Sequence, residues 1–207
     1  MKNDNSLYHP FRDFIRQYVS LNALEWRFMV SRLKIRTYQK GDIIHQMGDT
    51  CSEIRFIVSG LARIYMLDEH GKDYTWGICF NDENAEVVNR FVVDYDSFIN
   101  QTPSHLSIEA LEDCTLIVAR HEDVAFVSKH SRKGEHFVNL MTQKAYSCLH
   151  YLSITRETKN ARERFEEFVA KAPHLLDKVP QYHIATFLRI TPQYLSQLKQ
   201  AYLHIVE

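Results

Sequence analysis

Residues 181–200 read QYHIATFLRITPQYLSQLKQ, and this stretch decides how the chain is organised. Its apolar positions, Ile184, Leu188, Ile190, Leu195 and Leu198, together with the small Ala185, fit two short helices that cross around a shared apolar centre. Thr191 is placed to cap the second helix, and Pro192 in its first turn costs little because that N–H has no intrahelical partner anyway. Arg189 stands at the turn position where glycine is usual, since positive φ is easiest for glycine. The pattern predicts a helix-turn-helix. The residues expected to touch a duplex are Thr191, Gln193, Tyr194, Ser196, Gln197 and Lys199, because glutamine pairs bidentately with adenine while serine and lysine suit phosphates or bases.

Upstream, Ala161–Ala170 carries Phe165, Phe168 and Val169 at helical spacing and is closed by Pro173. Before it runs a segment of about 25 residues in which Phe137, Met141, Lys144 or Ala145, Cys148, Leu152 and Thr155 recur at steps of three and four. One narrow stripe on so long a helix predicts a partner helix, and Phe137, Met141, Cys148 and Leu152 are expected to form a dimer seam. A short helix with Val124 and Val127 precedes it.

From Thr37 to Ala119 the texture is that of strands. Ile43-Ile44, Ile54–Val58, Ala62–Leu67, Tyr74–Phe80, Leu106–Ala110 and Thr115–Ala119 are short β-branched and aromatic runs, separated by turns at Gly41-Asp42, Gly48-Asp49, Gly60, Asp68–Gly71, Asn81–Asn84 and Thr102-Pro103. Many short strands at near-regular spacing predict a sandwich or jelly roll. Residues 10–33, with Phe11, Phe14, Ile15 and Tyr18, then Leu21, Leu24, Phe28 and Met29, predict two amphipathic helices.

The 207 residues carry 45% hydrophobic and 25% charged side chains, a globular composition large enough for one or two cores. No run approaches the length of a membrane-spanning helix, and Met1–Pro10 is polar, so a cytoplasmic protein without a membrane partner is expected. Cys51, Cys79, Cys114 and Cys148 lie far apart without a C-x-x-C pair, which argues against a disulfide framework, a zinc site or an iron–sulfur cluster. The net charge of −1 excludes a broadly basic polyanion binder. The balance is uneven, with Lys and Arg 8 against Asp and Glu 6 in residues 151–207 and 17 against 20 before that, the sign a C-terminal DNA reader needs.

The order of these parts resembles the Crp/Fnr family of bacterial regulators over nearly the whole chain. The matching residues are Lys40-Gly41-Asp42 with Ile44, Gly48-Asp49, Ile54 with Phe56-Ile57-Val58 and Gly60, and Asp68 with Gly71-Lys72. The segment SIEALED at 107–113 and Val179-Pro180-Gln181 look most like the subgroup common in Bacteroidetes-type bacteria. The resemblance implies an α+β protein. Residues 1–131 would form a cyclic-nucleotide-binding-like sensor, a double-stranded β-helix or jelly-roll barrel flanked by helices. Residues 132–158 would be the dimerisation helix, and 159–207 a helix-turn-helix domain whose wing is truncated or absent, since only Ala201–Glu207 follow the recognition helix. A homodimer on an inverted repeat of double-stranded DNA, with RNA polymerase as a further partner, is the function it implies.

The nucleotide binders of the family use Gly-Glu followed about ten residues later by Arg-Ser or Arg-Thr to hold phosphate and ribose. The corresponding residues 92–107 contain neither Gly-Glu nor arginine and add Asp94 and Asp96. A pocket here would use Asp94, Tyr95, Asp96, Ser104, His105 and Ser107, and the expected effector is an unidentified small molecule rather than a cyclic nucleotide. Two other readings stay open: a true cyclic-nucleotide binder, and a sensor or protein-interaction module with a degenerate helix-turn-helix. A cupin-type enzyme is disfavoured because His45, His70 and His105 stand alone, so no catalytic residue, metal ligand or cofactor is assigned.

Overall fold

The computed structural model describes residues 5–206. Residues 1–4 of the polar N-terminal stretch and Glu207 lie outside the described residues. Two helices, α1 (His9–Arg16) and α2 (Ala23–Val30), lead into eight strands. These are β1 (Lys34–Tyr38), β2 (Ile43–His45), β3 (Glu53–Ser59), β4 (Ala62–Leu67), β5 (Asp73–Cys79), β6 (Phe91–Val92), β7 (Ser107–Ala110) and β8 (Cys114–Arg120). The short helices α3 (Val87–Arg90) and α4 (Tyr95–Asn100) flank β6. The chain then becomes helical: α5 (His121–His130), α6 (Arg132–Thr158), α7 (Ala161–Lys171), α8 (Leu175–Lys178), α9 (Gln181–Phe187) and α10 (Pro192–Val206). None of the helices among the described residues is long and apolar enough to cross a membrane.

The strands pair antiparallel in two sheets of order β1-β8-β3-β6 and β2-β7-β4-β5, the double Greek key of a jelly roll. Alternation along the strands divides their side chains between two cores. Ile57 of β3 and Leu116 and Val118 of β8 point between the sheets, where they meet Ile44, Ile64 and Ile108. Phe56 and Ile117 of the same strands point the other way, onto α1. There Phe56 lies 4.9 Å from the Phe11 ring, 5.4 Å from Phe14 and 5.7 Å from Phe91. Truncating one such fully buried aromatic costs about 3–5 kcal/mol. Gly60 turns β3 into β4 at φ +93°, and a Cβ there would sit 2.3 Å from the Asp113 carbonyl oxygen, so only glycine fits.

The outer helices differ from the expectation in detail. Asn22 caps α2 by accepting the N–H groups of Leu24 and Glu25, while the Glu25 carboxylate accepts the Asn22 N–H at 2.7 Å. That box orients α2 so that Trp26 is buried and Leu24 and Phe28 stay exposed, the reverse of the pattern read from spacing.

Helix α6 spans about 40 Å. Its stripe does not form the outward seam that its period suggests. Met141 and Ala145 are buried and Phe137 packs in the chain's own barrel core, beside Phe14 and Tyr18. Cys148 turns towards Glu86 and Val88 at α3, and Leu152 is half-buried. Phe137, Met141 and Ala145 are thus taken up by packing within the chain, against the apolar face of the barrel and α1. The outward face instead carries Tyr146, His150 and Ile154, with Tyr146 69% exposed and stacked on His150.

Candidate nucleic-acid interface

The C-terminal helices are built around Phe165, Phe168, Val169, Leu175, Val179, Ile184, Leu188, Leu195 and Leu198, all buried. Asn160 starts α7 through a capping box with Glu163. The turn from α9 to α10 ends the first helix in a Schellman arrangement. The Ile190 N–H donates to the Ala185 carbonyl at 2.9 Å and the Arg189 N–H to Thr186 at 3.1 Å. Arg189 between them takes φ +55°, the left-handed conformation that the sequence assigns to this position. Arg164 Nε donates to the Leu188 carbonyl at 3.0 Å and so occupies another free acceptor of the helix end. Thr191 Oγ1 accepts the Tyr194 N–H at 3.2 Å and caps α10.

Leu195 and Leu198 turn inward from α10, which leaves Gln193, Tyr194 and Gln197 on its exposed face beside Thr191. Ser196 is half-buried. Lys199 is not directed outward: its Nζ donates to the Leu176 carbonyl at 3.0 Å and closes α8. Gln200 is exposed one turn beyond Gln197 and was missed, although its i, i+4, i+7 spacing from Gln193 and Gln197 carries the signal. Ala201–Val206 continue α10 as helix rather than forming a separate tail.

These C-terminal helices are joined to the barrel. Leu61, Ile78, Phe80 and Leu111 of the barrel belong to the same apolar cluster as the C-terminal helices. Beside it lies a polar junction centred on Arg63 of β4, whose side chain is 5% exposed. Its Nε meets Glu109 at 2.5 Å, Nη2 meets Asp73 at 2.8 Å and Nη1 donates to His183 Nδ1 of α9 at 2.7 Å. Tyr65 covers the guanidinium, whose centre is 4.2 Å from the ring centroid. Burial, and secondly the charge of Arg63, hold the His183 imidazole below its ordinary pKa, so it accepts as the neutral ring. Thr75 and Thr186 complete the contact, their hydroxyl oxygens 3.1 Å apart. Arg63 was missed as well; its signal was a lone cation inside the apolar run of β4.

The six residues expected to line an effector pocket do not converge. Asp94 is buried and caps α4, and its second oxygen accepts the Ser104 hydroxyl at 2.6 Å. Ser107 Oγ accepts the Met47 N–H at 3.0 Å. Tyr95 packs in the core, where burial pushes its hydroxyl well above the ordinary pKa. Asp96 and His105 face solvent, Asp96 accepting from Asn100 at 2.7 Å. Asp94 and Ser104 satisfy each other, the Tyr95 hydroxyl is buried without a hydrogen-bond partner, and the start of α4 is already occupied by the chain's own Asp94 carboxyl, so the site does not fit a cyclic phosphate. Nearby, His45 Nε2 and Arg55 Nε are buried without partners inside the barrel. Burial raises the thiol pKa to about 12 in Cys79 and Cys148 and about 11 in Cys114, which makes them inert packing groups. Among the described residues no group of three His, Cys, Asp or Glu side chains is placed to hold a metal.

Residues 35–131 match the cyclic nucleotide-binding domain family. No curated protein matches the chain in sequence. Among solved structures, the chain is similar to FixK2 from Bradyrhizobium japonicum, with TM-score 0.69 and 16% identity over 84% of this chain and 85% of that one. It is similar to a protein from Eubacterium rectale described as a transcriptional regulator of the Crp/Fnr family, with TM-score 0.65 and 16% identity over 96% and 88%. A CooA mutant from Carboxydothermus hydrogenoformans follows, with TM-score 0.64 and 17% identity over 91% and 87%. At these identities the likeness is one of fold. The family match thus covers 97 of the 207 residues, and the chain as a whole has the fold of these solved structures, one of them described as a transcriptional regulator of the Crp/Fnr family.

Proposed function

We propose that the chain is a DNA-binding transcriptional regulator of the Crp/Fnr type, acting as a homodimer on an inverted-repeat operator. The observation that carries this reading is α10, capped at a defined start, anchored by Leu195 and Leu198, and presenting Gln193, Tyr194 and Gln197 to solvent. A helix so presented enters the major groove, where each bidentate glutamine–adenine pair contributes about 1–3 kcal/mol of base discrimination. Thr191 and Ser196 supply phosphate or base contacts at the margin, and Gln200 extends the face by a turn.

Dimerisation is assigned to the outward face of α6, through Tyr146, His150 and Ile154, since Phe137 and Met141 are already committed to the barrel. Two readers then address half-sites about one helical turn apart. The effector is a small molecule other than a cyclic nucleotide, and RNA polymerase is the downstream partner. The Arg63–His183 and Thr75–Thr186 contacts provide the route by which a shift in β4–β5 reaches α9.

The test is selection from a random duplex pool by the full chain at near-physiological salt. An enriched inverted repeat, lost with Gln193→Ala plus Gln197→Ala, is the expected result, together with affinity that falls steeply with added salt. A retained pool without any repeat, with and without cell extract present, refutes the reading.

A further inference from the structure

A cavity of about 590 Å³ lies outside the barrel, enclosed by α1, α2, α4, the β3–β8 face and the α5–α6 hairpin. Its size is that of a small-molecule site. Its inner walls are apolar, formed by Ile15, Leu21, Phe98, Phe137 and Met141 among others. Thr142, also in the wall, donates its hydroxyl to its own helix at Val138. The polar lining groups Glu25, Arg32, Asp123, His130 and Lys133 all come from α2, the turn after it and the α5–α6 hairpin, so the polarity is gathered at one end. Leu24, Phe28, Ile99 and Phe126, 74%, 44%, 55% and 40% exposed, are the large apolar side chains left open around this region. Such a concentration marks a surface made to be covered.

The charges at that end are unequally satisfied. Glu25 and Lys133 pair at 2.9 Å and neutralise each other. The Arg32 guanidinium centre lies 3.9 Å from the Phe28 ring centroid and 4.7 Å from that of Phe126. Its carboxylate neighbour is Asp123 at 3.9 Å, and Asp123 is held more closely by Arg120 Nε at 2.9 Å. Arg32 is thus a guanidinium fork between two aromatic rings, incompletely neutralised, at the end of an apolar cavity. We propose that the cavity binds a linear aliphatic monocarboxylate, its chain along α6 from Gly134 to Thr142 and its carboxylate on Arg32. That stretch of helix covers about 12 Å. A second charge on the ligand would meet no counter-charge in the interior, and a purely apolar ligand would leave Arg32 as it is. Because α6 is both a wall of the cavity and the element leading to the reader, this site deepens the regulator reading by naming its effector class. The binding itself is measured without DNA.

The experiment is calorimetric titration of the full chain with decanoate, dodecanoate and dodecanol, the acids below their micelle-forming concentrations and the alcohol below its solubility limit. Binding should tighten about fourfold per added methylene. Dodecanoate should bind at least about tenfold more tightly than dodecanol. Arg32→Gln should remove that preference and leave dodecanol unchanged, while Leu21→Trp should weaken both ligands by filling the cavity. Absence of binding heat at two well-separated temperatures, equal affinity for acid and alcohol, or a preference that survives Arg32→Gln overturns the proposal. So does a Leu21→Trp chain whose light-scattering mass changes while its affinity for dodecanoate does not, since the cavity is then a contact between chains. If Leu21→Trp does not fold, the acid–alcohol comparison in Arg32→Gln decides alone. Binding of dodecanoate in a chain that selects no operator sinks the regulator reading and leaves the site standing.

Discussion

Replacing Arg63 with methionine keeps the aliphatic bulk and removes the charge that Glu109, Asp73 and His183 share. The two carboxylates, with side chains 18% and 20% exposed, are then left facing each other without a cation. Breaking a buried pair in this way costs about 3–5 kcal/mol, and the partial exposure of both acids places the expectation at the lower end, about 3 kcal/mol. The pH dependence makes the test specific. In the native chain His183 is held below its ordinary pKa, so its share of stability is complete above the unfolded imidazole value and is lost as pH falls through that value towards the depressed folded one. His45, depressed by burial and by Arg55, adds in the same direction. Without Arg63 the charge that depresses His183 is gone and two acids remain beside it, so its pKa should rise, and protonation should then partly replace the missing cation. Urea unfolding of both proteins between pH 5.5 and 8 should therefore show a deficit of about 3 kcal/mol at the alkaline end that narrows as pH falls. A deficit below about 1 kcal/mol, or one that is flat across this range, refutes the role given to the junction.

Arg189→Gly removes a left-handed residue whose cost is about 1–2 kcal/mol, against a loss of glycine chain entropy of about 0.5–1 kcal/mol and an exposed pair with Glu157. Thermal melts should show a gain of up to about 1 kcal/mol, and a clear loss would contradict the strain assignment. Asp94→Ala removes the cap of α4 and the Ser104 partner together, for which urea unfolding should register a loss of about 1–3 kcal/mol. Millimolar cyclic AMP should leave the melting temperature of the unmodified chain unchanged, and a rise of several degrees would restore the nucleotide reading.

What could be read in advance follows a physical division. β4 was found at Ala62–Leu67 because Gly60 and Asp68 bracket a run whose neighbours cannot continue a strand, and β3, β5, β7 and β8 were placed within about a residue for the same reason. The left-handed turn at Arg189 was legible because two capped helices leave room for nothing else. β6 was not legible: Phe91-Val92 is two residues long and sits between single helical turns, too short for any period to register. β1 begins at Lys34, earlier than the β-branched run, because as an edge strand it leaves Lys34 and Arg36 exposed and carries little apolar signal. The stripe on α6 shows the limit most plainly. Periodicity identifies a face that must be covered and says nothing of what covers it, and here Met141 and Ala145 found the barrel. Lys199 and Arg63 failed to declare themselves for a related reason, since each is positioned by a partner far off in sequence, Leu176 by 23 residues and His183 by 120.

Leu61, Ile78, Phe80 and Leu111 lie in the barrel, yet they are packed as members of the C-terminal core. The C-terminal helical unit is consequently no interchangeable cassette. Cut after α6 and expressed alone, it would carry Phe165, Phe168 and Leu175 with one wall of their enclosure missing. Grafted onto another jelly roll, it would meet a surface cut to a different shape. Heated in the intact chain, the barrel and the C-terminal helices should melt as a single calorimetric transition, and a displacement in the barrel meets no flexible joint before it reaches them.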